Sequence, residues 1–314
     1  MNKELKVLTY NIDGLPETLD LNDLPWILKP IAWIYRLIKK TSIIKINDNA
    51  DTSRKMIEIG QYFIDSNADI IGIQEDFNYH KELTDKLHDK YICGTYSGGF
   101  DISRIFTSLE ILSHFPLPRF KADGINIISK KGINISNENI VSWKKSYGYI
   151  DHANDLLTHK GFRFYTVTTE DNIDIDIYIL HMDADFYHPE NCPDVSKDIE
   201  ARKEQINQLL SYIVDRFENK TNNPVIIMGD TNSYDKYEWD VKNISYFIDN
   251  INSIPGLKCK EAIPENYNDC DRIFFINNDK SKYKLELNTC CFDKEICLSD
   301  HKPLTAVFNI LNNC

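Results

Sequence analysis

The chain has 314 residues and 42% hydrophobic content, enough for a substantial buried core, which excludes a largely disordered protein. Its 48 Asp and Glu outnumber 36 Lys and Arg, and the net charge of -12 argues against a surface that embraces nucleic acid on every side, while leaving room for an acidic nuclease with a local basic groove. Eight cysteines (Cys93, Cys192, Cys259, Cys270, Cys290, Cys291, Cys297 and Cys314) show no CxxC pairing, so neither a zinc site nor a disulfide framework is expected.

The predicted elements begin almost at the first residue, with no apolar leader, so a cytoplasmic protein with free thiols is the expectation. Strands are expected at Leu5 to Thr9, Asp69 to Ile73, Ile125 to Ile128, Phe162 to Thr168, Ile173 to Leu180, Val225 to Met228, Arg272 to Ile276 and Leu304 to Phe308. They are rich in Ile, Val, Tyr and Phe and are bounded by Gly, Asn and Asp. Helices are expected from Arg54 to Ile64, capped by Thr52 or Ser53, and from about Asp198 to Phe217, where Ile199, Ile206, Leu209, Leu210, Ile213, Val214 and Phe217 recur on one face. No repeat or Pro/Gly-rich linker divides the chain, and a single domain over 1–314 is the simplest account.

Polar groups gather at the ends of these strands. Asn11 closes the first, Gln74-Glu75-Asp76 the second, His181-Met182-Asp183 the fifth and Gly229-Asp230-Thr231-Asn232 the sixth; Cys270-Asp271-Arg272 opens the seventh, and Ser299-Asp300-His301 precedes the last. Any one of them has an ordinary structural reading, because Asp and Asn make turns and caps. Together they offer hard oxygen donors suited to Mg²⁺ or Mn²⁺ beside imidazoles that exchange protons near neutral pH.

In these motifs and their order the chain resembles the endonuclease/exonuclease/phosphatase superfamily of DNase I-like proteins, from Leu5 to about Phe308. The resemblance implies an α/β fold, a four-layer αββα sandwich of two mixed sheets flanked by helices, with the site where the loops of both sheets meet. It implies a Mg²⁺-dependent phosphoester hydrolase, with Mn²⁺ as a substitute. Asn11 and Glu75 would be metal-site residues and Asp300 a metal-proximal carboxylate. Asp230 and Asn232 would orient water and bind the scissile phosphate. His301, oriented by Asp271, would contact phosphate or act as base, and His181 would serve the leaving group as acid. Relatives often carry small residues where Met182 and Asp185 stand here.

Segments similar to bacterial-type members, Asp123-Gly124-Ile125-Asn126 and Lys160-Gly161-Phe162 among them, are expected to build the substrate side of the cleft, with Asp123 and Asn126 as candidate contacts. Between the first two motifs lies an insertion, Leu24 to Ile46, with five basic residues, no acidic ones and two tryptophans, Trp26 and Trp33. Pro30 and five charges disfavour a membrane span, whereas Trp, Tyr, Ile and Lys together suit an element lying on a membrane surface. The alternative is an amphipathic helix packed on the protein's own core. The leading substrate expectation is therefore a phospholipid headgroup, in the manner of sphingomyelinases, with Trp26 and Trp33 on the substrate side. A nuclease is the main alternative. An inositol polyphosphate phosphatase, suggested by Cys270-Asp271-Arg272-Ile273 and Ser299-Asp300-His301-Lys302-Pro303, and a catalytically dead scaffold are the others.

Overall fold

The computed structural model describes residues 3–14, 49–77, 79–96, 100–101, 119–120, 123–147, 159–184, 195–219, 221–264 and 269–313. The insertion with Trp26 and Trp33 lies outside them, as does Asp185. In chain order the strands are β1 (Lys3–Asn11), β2 (Ile70–Gln74), β3 (Tyr91–Cys93), β4 (Phe100–Asp101), β5 (Arg119–Phe120), β6 (Asn126–Lys130), β7 (Asn134–Ser142), β8 (Gly161–Thr168), β9 (Asp174–His181), β10 (Val225–Asp230), β11 (Leu257–Glu261), β12 (Asp271–Asn278), β13 (Tyr283–Phe292) and β14 (Leu304–Asn312). The helices are α1 (Asn49–Ser66), α2 (His80–Thr84), α3 (Ser196–Asn219) and α4 (Glu238–Asn252).

One six-stranded sheet runs β13-β14-β1-β2-β6-β3 and the other β11-β12-β10-β9-β8-β7. Their facing sides meet in an apolar layer that includes Val7, Ile70, Ile127, Ile177, Ile179, Ile226, Met228, Ile273 and Phe308. On the outer face of the first sheet, α1 buries Met56, Ile59 and Phe63 against Leu8, Tyr10, Ile71 and Ile73. On the outer face of the second, α3 and α4 bury Ile206, Leu209, Ile213 and Phe247 against Tyr178, Ile227 and Phe274. Both faces of each central strand are thus covered, which is why β2 and β10 are continuous apolar runs rather than alternating ones. The expected four-layer αββα sandwich is the observed architecture.

Each sheet has one parallel pair at its centre, β1 with β2 and β9 with β10. Parallel partners point their carboxyl ends the same way. Asn11 therefore lies beside Gln74, and Asp230 beside His181, while antiparallel β12 places Asp271 opposite Asp230 on the other side. Register alone sets Asp230 between His181 and Asp271.

The eight expected strands are all present. Helix α1 starts earlier than expected, at Asn49, so Thr52 and Ser53 fall within its first turns rather than capping it. The sequence reading omits β3, β4, β5, β7, β11, β13, α2 and α4. β7 and β13 are edge strands with few buried positions and a register shift each, so they carry little apolar periodicity. Helix α4 was legible: Ile244, Phe247 and Ile251 recur at helical spacing and are buried.

Candidate active site

The backbone at the ends of β1, β2 and β10 is specialised. Glu75 leaves β2 at φ 61 and Asn232 follows β10 at φ 47, both in the left-handed region that non-glycine residues seldom occupy. Gly229 sits at φ 143 against the Leu180 carbonyl, where a β-carbon would collide. Strand β10 can thus lie close to β9 and present Asp230 beside His181.

The side chains converge from five strand ends and the loop before β14. The Asn11 amide donates to Asp230 Oδ2 at 3.0 Å and to Glu75 Oε1 at 3.1 Å, joining the two sheets. His181 Nε2 lies 3.4 Å from Asp230 Oδ2 and 3.8 Å from Glu75 Oε1. His301 donates from Nδ1 to Asp271 Oδ2 at 2.6 Å and turns Nε2 toward Asp230 Oδ2 at 3.8 Å. Ser299 fixes this last loop: its hydroxyl donates to the Asn11 carbonyl at 2.8 Å and accepts from the His301 amide at 3.2 Å.

Electrostatics separate the two imidazoles. Burial, aided by the charges of Lys160 and His301, drives His181 well below the usual histidine range and so favours its neutral form. Burial also disfavours the His301 cation, but the carboxylates of Asp271 and Asp230 overcome it and raise His301 well above that range. Asp230 stays ionised: burial pushes its carboxyl up, and His301, His181 and Lys160 pull it below the usual value. Since His181 is itself neutral, His301 and Lys160 carry that pull at neutral pH. Glu75 is pushed up to about 7, mainly by burial.

Two carboxylates meeting at one amide, one of them pushed toward neutrality by burial, suit a divalent cation, because an unmatched buried charge is costly. Oxygen donors from Glu75, Asp230 and the Asn11 side chain fit Mg²⁺ or Mn²⁺ better than a softer metal. Asp300 lies at the rim, with its side chain 74% exposed and its Oδ1 4.0 Å from His301 Nε2. Asn232 is buried in the site; its amide donates to the Met182 carbonyl and its backbone N–H to Asp230 Oδ1, both at 2.8 Å.

Two of the four expected substrate-side residues, Asp123 and Asn126, are engaged inside the protein. Asp123 makes a two-pronged ion pair with fully buried Arg163, at 2.6 and 2.7 Å. Asn126 is buried and donates to Asp76 Oδ2 at 3.0 Å. Three neighbours of the site received no catalytic or metal role from the sequence, although Lys160 belongs to a segment expected on the substrate side of the cleft. Lys160 is buried, donates to the Met182 carbonyl at 3.3 Å, and acts electrostatically on Glu75, His181 and Asp230. Asp183 accepts from the Tyr147 amide at 2.6 Å and is buried. Cys270 places its sulfur 3.8 Å from His301 Nδ1. The Asp-Cys-Asp run 269–271 carried the signal for Cys270; nothing in the sequence marked Lys160 as buried.

A family profile described as "Endonuclease/Exonuclease/phosphatase family" matches residues 8–240. The chain belongs to this family. No curated protein sequence matches significantly. Among solved structures, SmcL aligns at 15% identity and TM-score 0.60 over 98% of this chain and 99% of SmcL. Staphylococcus aureus beta toxin aligns at 15% identity, also with TM-score 0.59 over 96% of this chain and 99% of the toxin, and a toxin mutant was solved with bound magnesium ions at 15% identity and TM-score 0.57 over 97% and 99%. D. rerio TDP2, solved with a single-strand DNA product, aligns at 14% identity and TM-score 0.57 over 98% and 99%. Likeness at this identity establishes the fold of a family member, and the chemistry must be argued from the residues above.

Proposed function

We propose that this family member is a Mg²⁺-dependent phosphoester hydrolase, and that its substrate is the phosphodiester of a phospholipid headgroup. The observation that carries the reaction class is the meeting of Asn11, Glu75, Asp230, His181 and Asp271-paired His301 within one network. General acid–base help is worth only about 10²- to 10⁴-fold, whereas phosphate ester hydrolysis needs on the order of 8–23 kcal/mol of catalysis. Imidazoles alone do not suffice.

Glu75, with Asn11 and Asp230 beside it, would hold the cation, which when bound neutralises phosphate charge and lowers the pKa of attached water. Asp230, kept ionised, orients the water for attack on phosphorus. His301, kept protonated by Asp271, places a cationic donor against a phosphoryl oxygen, where it is worth more in a buried site than in water. This supports the phosphate-contact role for His301 over that of base. Asn232, tied to Met182 and Asp230, braces the strand end that carries Asp230. Asp300 stands at the rim near His301.

The lipid assignment rests on the basic, tryptophan-bearing segment 24–46 of an otherwise acidic chain. A nuclease is the second reading, favoured by the shared fold with D. rerio TDP2 and opposed by the net charge of -12. A panel of sphingomyelin vesicles, single- and double-stranded DNA, abasic DNA, RNA and inositol phosphates, each with Mg²⁺, tests both; lipid turnover should dominate, and preferential DNA cleavage would overturn the assignment. Co-sedimentation with vesicles should fall when 24–46 is deleted. Equal binding of the deleted chain rejects the docking role.

A further inference from the structure

No zinc site is expected from the spacing of the cysteines, which are not paired in CxxC motifs. Folding supplies a different donor set. Asp269, Cys270, Asp271 and His301 bring one oxygen, one sulfur, one oxygen and one nitrogen within 4.8 Å of one another, the histidine arriving from 31 residues away. Sγ of Cys270 lies 3.8 Å from His301 Nδ1, and Oδ2 of Asp271 lies 2.6 Å from it, a hydrogen bond that a shared ion would replace. Zinc bonds of about 2.3 Å to sulfur and 2.0–2.2 Å to nitrogen and oxygen put tetrahedral donors roughly 3.2–3.7 Å apart, so the four need shift only modestly.

We propose that this cluster is a second cation site, selective for Zn²⁺ over Mg²⁺, whose occupation switches the hydrolase off. Selectivity follows from the donors. Asn11, Glu75 and Asp230 offer oxygen, whereas Cys270 and His301 offer the sulfur and nitrogen that zinc takes and magnesium refuses. The two sites lie on opposite sides of one ring, since His301 turns Nε2 toward Asp230 and Nδ1 toward Cys270 and Asp271. Half-buried Asp269 and the partly exposed edge of His301 give a cation its route in.

The exchange balances without any redox partner. One Zn²⁺ enters; the thiol proton and the Nδ1 proton leave to solvent; one Zn–S and one Zn–N bond form, with Asp269 and Asp271 completing the shell. His301 then keeps a single proton, on Nε2, is no longer free to carry a second one, and loses its hydrogen bond to Asp271. The inhibitory half of the proposal rests on the catalytic role given to His301 above; the binding half does not.

The two halves have separate readouts. Full-length protein stripped with chelator is titrated with Co²⁺ as a spectroscopic stand-in for zinc. Wild type should develop a near-ultraviolet thiolate-to-cobalt band with intense tetrahedral visible absorption. Cys270→Ser should lose the band, His301→Gln should weaken the visible absorption, and Cys297→Ser, which removes an exposed thiol elsewhere, should keep both. No band in wild type, or an unchanged band in Cys270→Ser, overturns the site. With whichever phosphoester the Mg²⁺-loaded protein turns over, added Zn²⁺ should inhibit wild type, and Cys270→Ser should need roughly 10- to 100-fold more zinc for the same inhibition. Equal zinc sensitivity of the two proteins overturns the switch. Should no phosphoester be turned over at all, the functional reading fails while the cobalt band still decides the site.

Discussion

His301 and His80 each lie 2.6 Å, through Nδ1, from a buried aspartate oxygen, Asp271 in one pair and Asp76 in the other. The side chains are similarly exposed, 15% and 17%, so neither distance nor burial distinguishes them. Their surroundings do. His301 turns its second nitrogen toward Asp230, and Asp271 and Asp230 together hold it protonated. His80 lies four residues from its aspartate at the start of α2, stacks face to face on Tyr96 at 4.0 Å, and shares Asp76 with the Asn126 amide. An aspartate–imidazole pair becomes chemical equipment when its outer nitrogen faces a reactive centre, and becomes internal bracing when its ring is covered.

Removing the centre that His301 faces should have the largest effect. Chelation of the metal, Glu75→Ala, Asp230→Ala and His301→Ala should each cut turnover of the identified substrate by at least about 10²-fold, with circular dichroism unchanged. Restored activity on adding Mg²⁺ back after chelation separates loss of metal from loss of fold. Unimpaired turnover in any of the three variants would remove that residue from the scheme.

Asp271→Asn sharpens the contrast at intermediate effect. Asparagine keeps an acceptor for Nδ1 but removes the anion, so the His301 pKa should drop toward the ordinary value of about 6.5. If His301 works protonated, its active form is then lost at lower pH, and the alkaline limb of the kcat/KM profile should move to lower pH. A limb that stays in place would mean that Asp271 only positions the ring.

The same contrast explains what could be read in the chain beforehand. Strand ends at Asn11, Glu75, His181, Asp230 and Asp271 were legible because each follows or opens a continuous apolar run, and register then carries them together. The Asp76–His80 pair is also visible as an i, i+4 spacing, yet nothing in the sequence shows that Tyr96 covers it. Lys160 is the opposite case. Lysines are usually exposed, and only the closure of β8 and β9 around it places its charge inside the site. Asp123 and Asn126 looked like cleft residues only through the likeness of their segment to bacterial-type members. Their side chains instead join Arg163 and Asp76, long-range partners that no local pattern encodes.

His80→Phe should therefore have the smallest effect on chemistry and a measurable one on stability. Phenylalanine preserves the stack on Tyr96 but withdraws the donor from Asp76 Oδ2, which keeps only the Asn126 amide. Leaving a buried carboxylate under-satisfied costs about 1–3 kcal/mol, so the urea midpoint should fall while kcat/KM stays within about twofold of wild type. A large drop in kcat with an unchanged midpoint would place His80 beside His301 in function, and the difference between the two pairs would then lie in role rather than in employment. The asymmetry expected here follows from Asp76 lying one residue past Glu75 with its side chain fully buried: it can brace the strand end that carries Glu75 without reaching the substrate.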